Sequence, residues 1–253
     1  MARDPAARWL EGLMGMASAE GVSRQTPHPD RRHPVSADAA RLAFIRANTS
    51  LRPVPLCPEI ALHVADEAFD LWFRTEEELA EDGLPPPFWA FAWAGGQALA
   101  RYVLDHPGTV AGRTVLDLGT GSGLVGVAAR RAGARQVTAA DTDPWAATAC
   151  RLNAEANAAE VNIVTEDLLD TTPQAETVLI GDLFYDRDVA GRLMAFLDRA
   201  AAAGSDVLIG DPGRTYLPKA RLDQLAEFGV PTTRALEDAE IKRTAVWRMT
   251  DRA

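Results

Sequence analysis

The regular alternation of short apolar runs and helical segments constrains the fold of this chain more than any other feature. Five runs of five residues each are predicted to be buried strands: 114–118, 136–140, 161–165, 177–181 and 206–210. The segments with the apolar spacing of helices are 37–49, 96–107, 122–133, 144–157, 187–204 and 218–229. Because strands that alternate with helices form a parallel sheet covered on both faces, the sequence predicts an α/β protein. Residues 232–236 and 244–249 are predicted to be two closing strands.

The first of these strands leads into a glycine-rich turn that has two interpretations. Gly121, Gly123 and Gly126 have the spacing GxGxxG, which is typical of a turn that binds a dinucleotide. Read from Asp117 and Gly119, the same stretch is an acid followed by alternating glycines. Both interpretations need glycine, because it lets the backbone turn sharply and lets a ligand approach the main chain. In such sheets ligands bind at the carboxyl ends of the strands, so either ligand would bind at this turn.

Acidic residues that follow three successive strands favour one ligand over the other. A pyrophosphate needs backbone N–H groups at a helix N-terminus, and the carboxylate of Asp117 would oppose it. S-adenosylmethionine has no phosphate and carries a sulfonium and an ammonium group, so the same carboxylate attracts it. Asp141 is predicted to accept hydrogen bonds from both ribose hydroxyls, although NAD sites also have an acid there. Asp167 is predicted to accept a hydrogen bond from the adenine amino group.

The predicted cofactor is therefore S-adenosylmethionine, and its predicted binding residues cluster at the strand ends. They are Trp93, Asp117, Gly119, Thr120, Gly121, Ser122, Gly123, Asp141, Thr142, Asp167 and Leu168. Asp143 is expected to cap the helix that begins at Pro144 rather than to bind a ligand. For Asp117 and Asp167 the alternative is a purely structural role in their turns.

Net charge and cysteine content limit the expected partners and the expected compartment. The chain has 253 residues and a formal net charge of −10, which opposes binding to naked nucleic acid and favours a protein or small-molecule substrate. Cys57 and Cys150 are its only cysteines, which make no disulfide framework and no CxxC metal site, so a cytoplasmic location is expected. No metal-binding pattern surrounds His63 or His106, so no metal is expected. No apolar run approaches the ~18 residues that span a bilayer, so no membrane partner is expected.

The chain is predicted to consist of a flexible N-terminal arm, residues 1–37, and one domain, residues 38–253. Within the arm, residues 25–36 are rich in proline, histidine and arginine and show no periodicity. The domain is divided into an N-terminal cap and lid, 38–108, and a core, 109–253.

Five longer stretches carry more specific motifs than the glycine turn alone. They are PFWAFAWAGGQALARYVLD (87–105), TVLDLGTGSG (114–123), GDLFYDRDVAGRL (181–193), LIGDPGR (208–214) and TAVWRM (244–249). In these stretches the chain resembles the class I, seven-strand methyltransferases, and among them the lysine methyltransferases that modify the electron-transfer flavoprotein β-subunit. The resemblance covers about residues 42–250. One departure is Ala94, where the family has proline in a Trp-Pro-Gly-Gly stretch.

The resemblance implies a fold, an activity and two catalytic residues. The fold is the Rossmann-like three-layer sandwich of class I methyltransferases. Its mostly parallel seven-stranded sheet has the order 3-2-1-4-5-7-6, with strand 7 antiparallel, beneath an N-terminal helical and extended cap. The activity is S-adenosylmethionine-dependent N-methylation of protein lysines, with the electron-transfer flavoprotein β-subunit as substrate. Asp182 and Tyr185 match the family's Asp-x-x-Tyr motif after the fourth strand.

The chemistry of methyl transfer sets the roles expected of these residues. The lysine nitrogen must be neutral, and with a reference pKa of about 10.4 its deprotonation near pH 7 costs roughly 4 kcal/mol. Because a carboxylate raises the pKa of a nearby ammonium, Asp182 is expected to grip and aim the lysine, and the proton leaves through water. Tyr185 is expected to flank the lysine chain or to hydrogen-bond the amine, with a core position as the alternative. Phe184 is expected to pack in the core.

The aromatic stretch FWAFAW is interpreted as a lid. Trp93, and with less support Trp89, is expected to cover the adenosine or to shape the lysine channel, because aromatic faces suit cations. The alternative is a hydrophobic plug over the sheet. Gln97 is expected at the surface, Asp211 on the substrate side, and Arg214 in contact with an acidic partner.

Other functions stand as alternatives to this interpretation. The nearest are a ribosomal-protein lysine methyltransferase and a small-molecule methyltransferase that would use residues 42–90 as its cap. A methyltransferase for nucleic-acid bases is disfavoured, because Leu183 and Phe184 stand where adenine-amino methyltransferases have prolines. The non-enzyme alternative is a cofactor-binding scaffold, against which the intact Asp182 and Tyr185 argue.

Overall fold

The computed structural model describes residues 37–65, 86–232 and 240–250. The predicted N-terminal arm lies outside these ranges except for Ala37. The predicted strand 232–236 lies outside them except for its first residue.

Helices and strands alternate in the described part of the chain much as the sequence predicts. The helices are α1 (Ala37–Asn48), α2 (Ala94–Asp105), α3 (Leu124–Arg131), α4 (Pro144–Ala156) and α5 (Arg187–Ala202). The strands are β1 (Ser50–Val54), β2 (Cys57–Val64), β3 (Thr114–Leu118), β4 (Gln136–Ala140), β5 (Asn162–Val164), β6 (Thr177–Gly181), β7 (Asp206–Asp211), β8 (Leu222–Pro231) and β9 (Ile241–Met249). None of the helices in the described ranges is both long enough and apolar enough to cross a membrane.

Seven of these strands form one sheet with the order β5-β4-β3-β6-β7-β9-β8. Counted from β3 as strand 1, this is the predicted order 3-2-1-4-5-7-6. The strands from β3 to β7 pair in parallel, whereas β9 is antiparallel to both β7 and β8. The predicted class I methyltransferase fold is therefore confirmed.

Helices cover both faces of the sheet because side chains alternate along each strand. On one face, Leu179 of β6 and Leu208 of β7 pack in a cluster with residues of α2 and α3. On the other face, the neighbouring residues Ile180 and Ile209 pack in a cluster with residues of α5. The two clusters bury the central strands on both sides, so the carboxyl ends of these strands form a fixed edge on which a site can be built.

The predicted helix 218–229 is wrong, because most of this segment belongs to β8. A short 3-10 turn leads into β8, which then pairs with β9 along its length. Leu222, Leu225 and Phe228 follow one another at intervals of three residues, which is helical spacing. A bulge after Gln224 adds one residue to the strand and shifts the register, so the period of two that marks a strand is interrupted.

The N-terminal cap contains α1 and the antiparallel hairpin of β1 and β2, and it is tied to the core through α4. Asn153 Oδ1 accepts from the His63 N–H at 2.7 Å, and Asn157 Nδ2 donates to the Ala61 carbonyl at 2.6 Å. Asn153 Nδ2 also donates to the Ser122 carbonyl at 2.8 Å. The same asparagine therefore holds both the cap hairpin and the glycine-rich turn.

Candidate active site

A cavity of about 510 Å³ opens at the carboxyl ends of β3, β4 and β6. The predicted site residues that line it are Trp93, Asp117, Gly119, Thr120, Gly121, Ser122, Asp141, Thr142, Asp167, Leu168, Asp182 and Tyr185. Gly123 does not line the cavity and is the N-cap of α3. The fold thus brings almost the whole predicted set together at one place.

The glycine-rich turn needs glycine for both conformation and space. Gly119, Gly121 and Gly123 have φ values of +68°, +51° and +84°, in the left-handed region that side chains disfavour. A Cβ on Gly119 would lie 2.6 Å from the Leu183 side chain, and one on Gly123 would lie 2.8 Å from the sulfur of Cys150. Replacing Gly119 would therefore move the wall of the cavity, and replacing Gly123 would disturb the contact between the turn and α4.

Carboxylates of this chain occupy backbone N–H groups that a pyrophosphate would require. Asp117 Oδ2 accepts from the Gly126 N–H at 2.8 Å and from the Thr120 hydroxyl at 2.5 Å. Asp141 Oδ2 accepts from the Gly121 N–H at 2.9 Å. Asp117 thus hydrogen-bonds the turn, as the structural alternative holds, and it also lines the cavity. A turn whose amides already bind two carboxylates is suited to a cation and repels a phosphate.

The cavity has an excess of acidic groups. Its lining includes the carboxylates of Asp117, Asp141, Asp143, Glu166, Asp167 and Asp182 and the guanidinium groups of Arg192 and Arg214. Burial raises the pKa of Asp117 to about 6, against the opposing hydrogen bonds from Thr120 and Gly126. Burial also raises the pKa of Asp141. A bound cation would stabilise the charged forms of both groups.

Asp143 caps α4 as predicted. Its Oδ1 accepts from the Trp145 N–H at 2.8 Å, and Pro144 takes the first position of the helix. Burial raises the pKa of the Asp143 carboxyl to about 6.

Asp167 is exposed at the rim of the cavity and has a partner that the sequence did not predict. Arg192 of α5 forms an ion pair with it, with 2.9 Å between Nη1 and Oδ2. The hydrogen bond from Arg192 lowers the pKa of the Asp167 carboxyl. Asp167 Oδ1 also accepts from the Leu169 N–H at 3.0 Å, so the residue does shape its own turn. Arg192 lies in the stretch 181–193, but its pairing with Asp167 was not predicted, because only the packing of α5 brings the two together.

The aromatic stretch before α2 contains both a lining residue and a packed residue. Trp93 is half-buried, lines the cavity and donates from Nε1 to the Phe88 carbonyl at 2.9 Å. Trp89 is buried and stacks on Trp145, with ring centroids 6.0 Å apart. Trp89 also reaches the cavity wall, as does Phe91. The lid interpretation therefore describes the position of Trp93, and the plug interpretation describes the packing of Trp89.

Asp182 lies at the end of β6 with its carboxylate held from two sides. The residue is 7% exposed and has a φ of +58°, which is unusual for a residue with a side chain. The N–H groups of Gly95 and Gly96, at the N-terminus of α2, donate to Oδ2 at 2.5 Å and 3.1 Å. Arg214 donates to Oδ1 from Nη2 at 2.8 Å and from Nε at 3.2 Å. Such backbone conformations are found most often at functional sites, and here the residue that adopts one has its carboxylate at the start of a helix.

Helix α2 approaches the sheet so closely that glycine is required on both sides of the contact. A Cβ on Gly95 would lie 2.2 Å from the Gly210 carbonyl oxygen, and one on Gly210 would lie 2.1 Å from the Gly95 carbonyl oxygen. A Cβ on Gly181 would lie 3.1 Å from the Gly96 Cα. This contact sets the position of the N–H groups that hold Asp182.

Tyr185 and Phe184 point in different directions. Tyr185 is 48% exposed, and its ring centroid lies 5.6 Å from that of Phe88 at the cavity. Phe184 is fully buried in the cluster below the sheet. The packing role predicted for Phe184 is confirmed, and the core alternative for Tyr185 is wrong.

Two further expectations are corrected by buried side chains. Gln97 is not at the surface: it is 2% exposed, its Nε2 donates to the Ala92 carbonyl at 2.7 Å and its Oε1 accepts from the Leu56 N–H at 3.2 Å. Asp211 is 1% exposed, and its Oδ1 accepts from the N–H groups of Gly213 and Arg214. Asp211 therefore shapes the turn after β7 and does not face a substrate.

No group of three or more histidine, cysteine, aspartate or glutamate side chains within the described ranges is arranged to hold a metal ion.

The chain is similar in sequence to known methyltransferases. The family described as Ribosomal protein L11 methyltransferase (PrmA) matches residues 97–184. The "Electron transfer flavoprotein beta subunit lysine methyltransferase" of Danio rerio is 39% identical over 213 residues, which covers 81% of this chain and 81% of that protein. The protein of the same name from Homo sapiens is 34% identical over 213 residues, which covers 81% of this chain and 80% of that protein.

A solved structure shares the fold. The ribosomal protein L11 methylase from Lactobacillus delbrueckii subsp. bulgaricus superposes with a TM-score of 0.50 at 19% identity, over 79% of this chain and 100% of that chain. At this level of identity the likeness concerns the fold alone.

Proposed function

The chain belongs to the family of electron transfer flavoprotein β-subunit lysine methyltransferases, and we propose that its own substrate is the β-subunit of an electron-transfer flavoprotein. It is an enzyme that methylates protein lysines with S-adenosylmethionine as the methyl donor. The observation that carries the assignment of the site is the acidic glycine turn, where Asp117 and Asp141 occupy the N–H groups of Gly126 and Gly121.

The residues of the cavity fit S-adenosylmethionine. Asp117 and the excess of carboxylates suit its sulfonium and ammonium groups, and Asp141 at the end of β4 suits the ribose hydroxyls. The absence of a side chain at Gly121, where the nearest atom to a Cβ would be 4.0 Å away, leaves the main chain open to a ligand. Asp167 and Leu168 are proposed to bind the adenine and Trp93 to cover the adenosine, while Thr120, Ser122 and Thr142 complete the cofactor site and Gly123 only starts the helix behind it.

When bound, S-adenosylmethionine supplies a methyl group that its sulfonium activates for attack by the lone pair of a neutral lysine Nζ, with the carbon–sulfur bond breaking as the carbon–nitrogen bond forms. The residues of this chain therefore have to orient the lysine and control its proton, which goes to solvent. Orientation of this kind contributes about 7–11 kcal/mol to such reactions. We assign it to the two residues of the motif after β6: Tyr185 directly, as a lining residue of the cavity, and Asp182 indirectly, through its hold on the start of α2 and on Arg214.

Two exposed aromatic side chains line the part of the cavity that we propose receives the substrate lysine, the acceptor side. Phe88 and Tyr185 are 36% and 48% exposed, and both line the cavity. Aromatic faces attract the ammonium and the aliphatic stem of a lysine. These two rings are therefore proposed to guide the substrate lysine inward. We place the reaction in the cytoplasm, in keeping with the free thiols of Cys57 and Cys150.

The proposed substrate is tested by incubating the purified chain with methyl-labelled S-adenosylmethionine and the purified flavoprotein β-subunit. We expect labelled lysines in the β-subunit by mass spectrometry, and no label after substitution of those lysines by arginine. Uptake of the cofactor without any transfer would instead identify a scaffold.

A ribosomal-protein substrate is the second candidate, because the matched family and some relatives methylate ribosomal protein L11 by name. The relative from Geobacter sulfurreducens is 41% identical over 97 residues, but these cover only 38% of this chain. Ribosomal protein L11 is therefore added to the same assay as a competing acceptor. Label in L11 and none in the flavoprotein would reverse the order of the two candidates.

A further inference from the structure

Arg214 is the ionic partner of Asp182 within this chain. Its guanidinium donates two hydrogen bonds to one oxygen of Asp182, and the start of α2 donates to the other. Asp182 therefore does not present an uncompensated negative charge to the cavity. Gripping a substrate ammonium directly would require the carboxylate to give up contacts that it already makes.

The turn after β7 places Arg214 firmly. Asp211 Oδ1 accepts from the Gly213 N–H at 2.6 Å and from the Arg214 N–H at 2.7 Å. Gly213 has a φ of +93°, which closes this turn. The guanidinium carbon of Arg214 lies 5.9 Å from the centroid of the Trp93 ring, and the side chain is 23% exposed. A cation is thereby fixed in the wall of the same cavity that Asp182 and Tyr185 line.

This placement affects the proton on an acceptor lysine. A nearby carboxylate raises the pKa of an ammonium, whereas a nearby fixed cation lowers it. Asp182 alone would therefore hold the lysine in its charged form, which cannot attack a methyl group. When Arg214 compensates the carboxylate, the lysine meets a pair with no net charge and releases its proton more readily.

We propose that Arg214 is a positioning residue that keeps the acceptor lysine neutral, because its guanidinium and not the substrate ammonium is the partner of Asp182. This inference rests on the proposed function. It means that Asp182 does not grip the lysine, contrary to the expectation from the sequence. The Asp182 carboxylate instead fixes Arg214 and the start of α2.

Other charged or titratable groups surround this pair. On the acceptor side they are Tyr185, Asp211 and Lys219, and on the cofactor side Asp117, Asp141, Asp143, Glu166, Asp167 and Arg192. Arg214→Gln leaves these side chains in place and removes only the lowering effect of Arg214 on the pKa of Asp211, and the glutamine amide can still donate to Asp182. The variant therefore removes the positive charge with little change in shape.

The first test is the pH dependence of kcat with saturating flavoprotein β-subunit, because kcat reports the pKa values of the bound complex. We expect the midpoint for Arg214→Gln to lie at least about one pH unit above that of the unchanged protein. At pH 7 this corresponds to a loss of about tenfold in kcat, which shrinks as the pH rises. Arg214→Lys keeps the charge and should keep the original midpoint, even with a lower maximal rate.

Asp182→Asn is the complementary variant and tests the inference independently of Arg214→Gln. It removes the negative charge and leaves Arg214, so its midpoint should shift to lower pH although kcat falls. Asparagine tolerates the positive φ at this position better than most residues. The double variant lacks both charges and should return to the original midpoint.

A second readout needs no turnover. Calorimetry of the β-subunit binding in the presence of S-adenosylhomocysteine, at pH 8 in buffers of different ionisation enthalpy, counts the protons released. The unchanged protein should release more protons than Arg214→Gln, while both bind S-adenosylhomocysteine equally well. An equal affinity for that compound shows that the variant is folded.

The outcomes separate this inference from the function on which it rests. If the unchanged protein transfers methyl groups but Arg214→Gln keeps the original midpoint, the role of Arg214 is wrong. A lower midpoint for Arg214→Gln would also overturn it, because loss of the positive charge would then have lowered the pKa of the acceptor lysine instead of raising it. Absence of any transfer to the β-subunit would overturn the proposed function and this inference together.

Discussion

Asp141 is the residue on which we propose that cofactor affinity depends most directly. Asp141→Ala removes a carboxylate that is placed at the end of β4 and that also holds the Gly121 N–H at 2.9 Å. A hydrogen bond to a charged group contributes about 1.5–3 kcal/mol, so we expect S-adenosylmethionine to bind roughly 10–100-fold more weakly. Isothermal titration calorimetry measures this change. Asp117→Ala should weaken binding in the same direction.

Asp143→Ala is the matched control for this prediction. Asp143 also lines the cavity, but its carboxylate caps α4. Loss of an N-cap costs about 1 kcal/mol of stability, so the melting temperature should fall while the affinity for the cofactor changes little. An unaltered affinity in Asp141→Ala would refute the assignment of this residue.

Single residues differ in how far the sequence predicts their positions. The positions of Asp117 and Asp141 in the cavity are predictable because each follows or ends a strand beside the glycine turn. The partners of Asp182 are not, since Gly95 and Gly96 lie on a helix far earlier in the chain. Gln97 is misplaced by sequence reasoning for the same reason, because its partners Ala92 and Leu56 are brought to it only by folding.

The geometry of the acceptor side of the cavity depends on the close contact between α2 and β7. Gly210→Ala would place a Cβ 2.1 Å from the Gly95 carbonyl oxygen, so the helix must shift. We expect a loss of about 1–3 kcal/mol in the free energy of unfolding, and a loss of methyl transfer larger than the loss of cofactor affinity. Denaturant unfolding and the transfer assay measure the two effects.

Gly191→Ala is the control for Gly210→Ala. Gly191 lies on the exposed face of α5, and apart from its own helix turn and chain neighbours no atom lies within 4 Å of the point that a Cβ would occupy, so alanine meets no obstacle. Alanine in a helix interior is better than glycine by about 0.5–1 kcal/mol, and this variant should be slightly more stable with full activity. Equal behaviour of the two variants would contradict the close helix–sheet contact.

The position of Ala94 makes a prediction about the start of α2. Ala94 is the first residue of the helix, where the backbone N–H has no partner within the helix, and Trp93 before it is extended, with φ −63° and ψ 152°. Both conditions suit proline, the residue that the resemblance to the family leads us to expect at this position. Ala94→Pro should therefore fold normally and gain about 0.4–1 kcal/mol of stability, measured by thermal unfolding.

Ala98→Pro tests whether the effect of proline on stability depends on its position in the helix. Ala98 lies one turn further into α2, so proline there removes a helical hydrogen bond and should cost about 3 kcal/mol or more. A comparable loss for Ala94→Pro would show that the start of α2 differs from the geometry described above.

The periodicity of apolar residues predicted the helices and strands of the core correctly, but it failed for the strand at the edge of the sheet. The strands from β3 to β7 are short apolar runs ending at turns, and their order follows from the resemblance to class I methyltransferases. The helix predicted for residues 218–229 was wrong because the bulge after Gln224 breaks the period of two that marks a strand. A bulge is set by pairing with β9 and leaves no clear mark in the local sequence.

Buried carboxylates make the stability of the whole molecule depend on pH. Burial raises the pKa of Asp117 and of Asp143 from 3.8 to about 6 in the folded chain. A raised folded pKa adds stability that is fully present below the unfolded pKa and is lost as the pH rises through about 6. These groups should therefore make the ligand-free protein less stable at pH 7 than at pH 5, by up to a few kcal/mol at about 1.4 kcal/mol per pKa unit.

Thermal unfolding at pH 5 and pH 7 measures this dependence. Asp117→Asn has no titrating carboxyl and should show a smaller difference between the two pH values than the unchanged protein. Saturating S-adenosylmethionine should also reduce the difference, since a bound cation stabilises the charged carboxylates. A steeper dependence in Asp117→Asn would contradict the burial-raised pKa.

The overall charge of the molecule and the charge of its cavity agree. The chain carries a net charge of −10, and carboxylates outnumber guanidinium groups in the cavity lining. Both features suit a cationic methyl donor and a lysine substrate, and both oppose a polyanion.

The most direct test of the account is a calorimetric comparison of S-adenosylmethionine with NAD on the purified, ligand-free chain. Occupied amides and a carboxylate-lined turn predict that S-adenosylmethionine binds with one molecule per chain and that NAD gives no binding heat. Tight binding of NAD together with no binding of S-adenosylmethionine would contradict the assignment of the site.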